Sequence, residues 1–228
     1  MKDKEYNAVI FDVDGVIAQT TEDWEWMDKV YRQHFPQPDK NGYSDWEEYL
    51  QAYGKIFRTL HTETEDGVFE EVGLENEQVL EAYSQVQDKK NRIMNQFSVY
   101  SDAVELLEYL NEEDYTVAAV SNAREDNVEL FLEQNDLLKY FDYVTGVKLE
   151  DFNSFKQRKK PNPAMLQEAI QELDLNPETT VMIGDSSTDR DATRKIEQLD
   201  YIHLNRGVEV DPDGEQTIEN LNELKEVL

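Results

Sequence analysis

The chain has 228 residues, no cysteine, and a formal charge of −29 from 51 acidic and 22 basic side chains. Its length suits one sizeable domain, or a domain carrying an insert. Disulfides and thiolate chemistry are excluded, zinc is disfavoured by three scattered histidines, His34, His61 and His203, and so acidic a surface is a poor partner for nucleic acid.

The N-terminus runs straight into a strand pattern without an apolar leader, and no run approaches the ~20 apolar residues of a membrane span. The expectation is a cytoplasmic protein. Apolar periodic segments through most of the chain argue for a folded molecule rather than disorder. An acidic surface of this strength then suggests a halophilic protein, because at about 1 M salt the Debye length is only ~3 Å and self-repulsion is screened.

Val9 to Phe11 read as a buried parallel strand that stops at Asp12-Val13-Asp14-Gly15. From Thr20 to Phe97 the pattern is helical: Trp24, Met27, Tyr31 and Phe35, then Trp46, Tyr49, Tyr53 and Phe57, then Val79, Tyr83, Val86 and Ile93. These residues are expected to form an inserted helical cap over residues 20–96, hinged near Val16 to Thr20 and Gln96 to Ser101. The core is then residues 1–19 and 97–228. Within it Ala103 to Leu110 is predicted helical, Thr116 to Val120 a buried strand, Val128 to Leu138 helical and Tyr140 to Val147 a short strand. Asn162-Pro163 opens a further helix, Thr180 to Ile183 is a strand, Ala192 to Ile196 a helix, Tyr201 to Leu204 an edge strand, and Asn220 to Leu228 a closing helix. Strands alternating with helices imply an α/β fold with a doubly wound parallel sheet.

The residues just beyond each core strand carry the chemistry. The first strand gives Asp12 and Asp14, the second Ser121-Asn122, and the third Gly184-Asp185 with Asp189 four residues on; Lys160 precedes a helix start. Strand ends of a parallel sheet share one edge, so these groups can converge there. Two carboxylates as close as Asp12 and Asp14 call for a proton, a lysine or a cation. A calcium loop would continue with further oxygen ligands, whereas apolar Val16 and Ile17 come after Gly15. Carboxylates, a hydroxyl, a lysine and a glycine-supported turn are parts for phosphoryl transfer with magnesium.

With these four motifs in this order, the chain resembles the haloacid dehalogenase-like superfamily, in its phosphatase branch with a helical cap, over essentially its whole length. The resemblance implies a Rossmann-like core, Mg2+ as cofactor, a small phosphate ester as substrate, and a monomer or small homo-oligomer. It implies Asp12 as nucleophile and Asp14 as general acid and base. Ser121, the backbone near Asn122, and Lys160 would hold the phosphate. Asp12, the Asp14 carbonyl and Asp185 would bind the metal, with Asp189 behind them or as an occasional ligand.

Each residue also has a plainer reading. Ser121-Asn122 is a common turn after a strand. Lys160 belongs to the basic run Gln157 to Lys160, ordinarily a solvated loop, with Lys159 as the alternative register. Gly184 to Asp189 could form a capping turn, but two acids there joining Asp12 and Asp14 would be costly without a cation. Arg58 and Arg206 read as surface residues. The expected activity is hydrolysis of phosphoglycolate or a sugar phosphate through an aspartyl-phosphate. The alternatives are a phosphosugar mutase of the same superfamily and a non-enzymatic phospho-acceptor signalling domain.

Overall fold

The computed structural model describes residues 5–19, 33, 75–93, 97–148, 150, 152–207 and 216–228. The aromatic series from Trp24 to Phe57, and with it most of the expected cap, lies outside the described residues.

Six strands form one sheet: β1 (Ala8–Phe11), β4 (Thr116–Arg124), β5 (Tyr143–Val147), β6 (Thr180–Gly184), β7 (Asp200–Leu204) and β8 (Gln216–Ile218). Their order across it is β5-β4-β1-β6-β7-β8, and all pair in parallel. The sheet is apolar on both faces, because successive side chains of a strand point to opposite sides. Val9, Phe11, Val117, Ala119, Val181 and Ile183 face one cluster. Ile10, Ala118, Val120 and Met182 face the other.

Helices cover both sides. On the first face lie α2 (Ser101–Glu112), α3 (Glu125–Gln134) and a closing 3-10 turn, Leu221–Glu226, through Leu106, Leu110, Phe131, Leu132, Leu221 and Leu224. On the second lie α1 (Asn76–Ile93), α4 (Phe152–Arg158), α5 (Ala164–Glu172) and α6 (Ser187–Thr193), through Val79, Tyr83, Val86, Phe155, Met165, Leu166 and Ala192. This is the doubly wound architecture expected of alternating strands and helices.

Several expectations are corrected. Tyr201 to Leu204 is not an edge, because β8 pairs outside β7. The segment after β6 is helical from Ser187 rather than Ala192, since Ser186 and Asp189 form a reciprocal capping box that starts the helix at once. The helix after β4 starts at Glu125 and ends at Gln134, and the C-terminal segment is 3-10, capped by Asn220. The next helix starts at Ala164 with Pro163 as its cap, one residue later than an Asn162 cap would set it, and Asn162 Oδ1 accepts from the Ala164 amide at 3.1 Å.

The segments on either side of residues 20–97 are paired. β2 (Ala18–Gln19) and β3 (Ser98–Val99) make a short antiparallel ribbon, extended by the Tyr100 amide donating to the Ile17 carbonyl at 3.1 Å. Among the described residues no helix is long and apolar enough to cross a membrane.

Candidate active site

The register of β1 sets the geometry. Phe11 pairs with Ala119 on one side and Ile183 on the other, and the Asp12 amide donates to the Ile183 carbonyl at 2.9 Å. Asp12 therefore leaves the sheet level with Val120 and Gly184, and the next residues out are Ser121 and Asp185. Three strands deliver their polar residues to one carboxyl-end rim, where open α/β sheets bind ligands.

Glycine makes room for the carboxylates. Gly15 turns with φ +78°, and a Cβ there would lie 1.9 Å from Asp185 Oδ2. A Cβ on Gly184 would lie 2.4 Å from the Asp189 Cβ. Both glycines are required by close approach, the first also by its left-handed backbone.

Asp12, Asp185 and Asp189 bring one oxygen each to within 4.8 Å of one another. Lys160 enters from the α4–α5 connection. Its Nζ lies 2.9 Å from Asp12 Oδ1 and 2.6 Å from Asp189 Oδ1, and donates to the Val120 carbonyl at 2.7 Å. Lys160 and not Lys159 makes these contacts. Both are buried, each 1% exposed, which corrects the reading of this run as a solvated loop.

Asn122 fixes that lysine. Its Oδ1 accepts from the Lys160 amide at 2.7 Å and its Nδ2 donates to the Lys160 carbonyl at 3.0 Å. The Ser121 hydroxyl accepts from the Ala123 amide at 3.0 Å, where the register of β4 breaks. Asp189 is held by Ser186, whose amide and hydroxyl both donate to Oδ2. Below the rim the Tyr201 hydroxyl lies 3.0 Å from the Gly184 carbonyl and 3.1 Å from His203 Nδ1.

The electrostatics follow from burial and crowding. Burial pushes the Asp12 carboxyl up, to about 7, against the pull of Lys160 and with the charges of Asp189 and Asp14 adding to the rise. Asp185 is raised well above the ordinary carboxylate range by burial, then by Asp12 and Asp189. Burial works against the Lys160 ammonium, yet the carboxylates of Asp12 and Asp189 hold it above the ordinary lysine value.

The Asp14 side chain stands apart from this trio. Its Oδ2 meets Lys90 Nζ at 2.5 Å, on helix α1. Fully ionised, the four carboxylates against Lys160 and Lys90 leave two negative charges, which one divalent cation would balance. The donors are all oxygen, and a hard cation such as Mg2+ fits them.

Sequence reasoning missed two groups. The first is the face of α1. Tyr83 donates to the Asn122 carbonyl at 2.7 Å, Asn127 Nδ2 donates to Gln87 Oε1 at 3.0 Å, and Asn91 donates to Asn127 at 2.9 Å. The second is Arg206, expected at the surface. It donates to the Gly15 and Val16 carbonyls at 3.2 and 2.9 Å and forks onto Asp102 at 3.1 and 3.0 Å, with its guanidinium 3.6 Å from the Tyr100 ring centre. The only signal for either was a helical stripe and a lone basic residue after a strand. Trp24, Trp46 and Arg58 lie outside the described residues.

The model of the haloacid dehalogenase-like hydrolase family matches residues 9–198. The chain is 27% identical over 186 residues to the pyrophosphatase PpaX of Bacillus thuringiensis (strain Al Hakam), covering 80% of this chain and 76% of that protein. Among solved structures it is similar to a HAD phosphatase from Thermococcus onnurineus (TM-score 0.63, 24% identity, 97% of each chain). It is also similar to a predicted phosphoglycolate phosphatase from Haemophilus somnus 129PT (TM-score 0.66, 18% identity, 97% of each chain).

Proposed function

The chain belongs to the haloacid dehalogenase-like hydrolase family and is an enzyme of its phosphatase kind, and from that premise we propose that it is a magnesium-dependent phosphatase of small phosphorylated metabolites working through an aspartyl-phosphate. The observation that carries the reading is the Lys160 ammonium shared between Asp12 and Asp189 at the rim of the sheet.

Each residue's part follows from its place. Asp12 is mostly buried and lies at the end of the central strand, so its free carboxylate oxygen is the group that attacks phosphorus. Lys160 opposes the protonation that burial favours at that carboxylate and offsets the charge of the incoming phosphoryl group. Asp14, two residues on, partly exposed and paired with Lys90, would give the leaving oxygen a proton and later take one from water. Ser121 and the backbone beside Asn122 line the phosphate's side of the rim. Asp12, Asp185 and the Asp14 carbonyl would hold Mg2+, with Asp189 beside them. Bound there, the cation supplies charge neutralisation and orientation of the phosphoryl oxygens.

Residues 20–96 are proposed as a helical cap, with the β2–β3 ribbon as its base. The last helix of that span, α1, is anchored on the core, so closing, which excludes water from the attack, and opening, which admits water for hydrolysis, would fall to the part of the cap before it.

The test is phosphate release from a panel of phosphomonoesters and pyrophosphate. Release should require Mg2+, stop on chelation with EDTA and return when Mg2+ is restored. Release that persists at full rate in EDTA would overturn the metal assignment. Isomerised sugar phosphate in place of free phosphate would indicate the mutase chemistry instead.

A further inference from the structure

We propose that Lys90 selects substrates whose leaving group carries a second negative charge close to the oxygen that Asp14 protonates. The inference deepens the phosphatase reading and rests on it.

The first observation is distance. Lys90 Nζ lies 2.5 Å from Asp14 Oδ2. An acid must come within about 2.6–3.2 Å of the oxygen it protonates, so the ammonium stands within about 6 Å of that oxygen. A carboxylate or phosphate one or two atoms beyond the broken bond is then within reach of Lys90.

The second is availability. Lys160 is 1% exposed and has Asp12, Asp189 and the Val120 carbonyl about its three N–H donors, all on the nucleophile's side. Arg124 is engaged with Asp88 and Asp126. Among the described residues Lys90 pairs with Asp14, which takes one of its three donors. Two remain for a ligand.

The third is rigidity. Tyr83 and Gln87, two turns and one turn before it, and Asn91, the next residue, tie α1 to the Asn122 carbonyl and to the fully buried Asn127. The lysine is thus delivered by an anchored helix, which lowers the ordering cost of binding.

The fourth is the charge of the molecule. In a molecule of charge −29, an anionic leaving group needs a local cation, and Lys90 supplies it.

The experiment compares kcat/KM with 2-phosphoglycolate and with pyrophosphate against ethyl phosphate, at one Mg2+ and salt concentration, for wild type, K90R and K90M. Wild type should favour the doubly charged substrates at least about tenfold, and the two arms show whether a carboxylate or a phosphate is preferred. In K90M the loss on the preferred substrate should exceed the loss on ethyl phosphate by about 10- to 100-fold, the range of a hydrogen bond to a charged group. K90R should keep most of the preference. Equal losses on both substrate types would overturn the proposal, since Lys90 would then act only on Asp14. So would a wild type that handles ethyl phosphate as well as the charged substrates. No phosphate release from any of them would overturn the phosphatase reading and this inference together.

Discussion

Asp12 and Asp185 are pushed toward their protonated forms by burial and by one another's charge, and this links metal, protons and stability. A carboxyl whose folded value is raised holds its proton where the unfolded chain has released it. The metal-free protein therefore loses stability as pH rises from about 4 through about 7. Mg2+ competes with those protons. The rise in melting temperature on adding Mg2+ should accordingly be small at pH 5 and several degrees at pH 7.5, measured by calorimetry. An equal rise at both values contradicts the assignment of these carboxylates to the metal.

At the same scale, legibility depended on sequence distance. Asp12, Asp14 and Asp185 could be read because an acid directly after an apolar strand has a fixed place in a parallel sheet. The choice between Lys159 and Lys160 could not, because it is made by the backbone of the α4–α5 connection and by Asn122 gripping the Lys160 peptide. Lys90 was silent because its partner Asp14 is 76 positions away. Asp102 and Arg206, 104 positions apart, were silent for the same reason.

Among elements, the long apolar strands and their alternation with helices were legible, since burial on both faces leaves a continuous apolar run. β8 was not, because three residues with one buried side chain carry no pattern. The start of α6 was missed because a capping box, rather than apolar periodicity, sets it. The join made by Arg206 is likewise a property of elements. It ties the end of β7 to the turn after β1 and to the first turn of α2, while Asp102 also accepts from the Leu221 amide at 2.9 Å. Arg206 and Asp102 are 15% and 7% exposed, a largely buried pair. Breaking such a pair from one side strands a charge and costs about 3–5 kcal/mol. Arg206→Ala should lower stability in urea by about that amount, and a loss below about 1 kcal/mol would show the join to be incidental.

At the scale of the molecule, the charge of −29 sets the solution behaviour. Self-repulsion opposes the compact state and is screened at high ionic strength. We expect the melting temperature to rise between about 0.1 and 2 M KCl, and a flat or falling curve would remove the case for a halophilic protein. The same field repels anionic substrates, so KM should fall over that range.

The central claim is that remote side chains meet at one rim so that Asp12 carries a phosphoryl group in passing. The most direct measurement is acid-quench trapping of enzyme turning over a labelled phosphomonoester, with mass spectrometry of the peptide containing residue 12. The account predicts a phosphoryl adduct on Asp12 that decays as phosphate appears and is absent from D12N. Turnover without an adduct, or an adduct on another residue that survives in D12N, would contradict it.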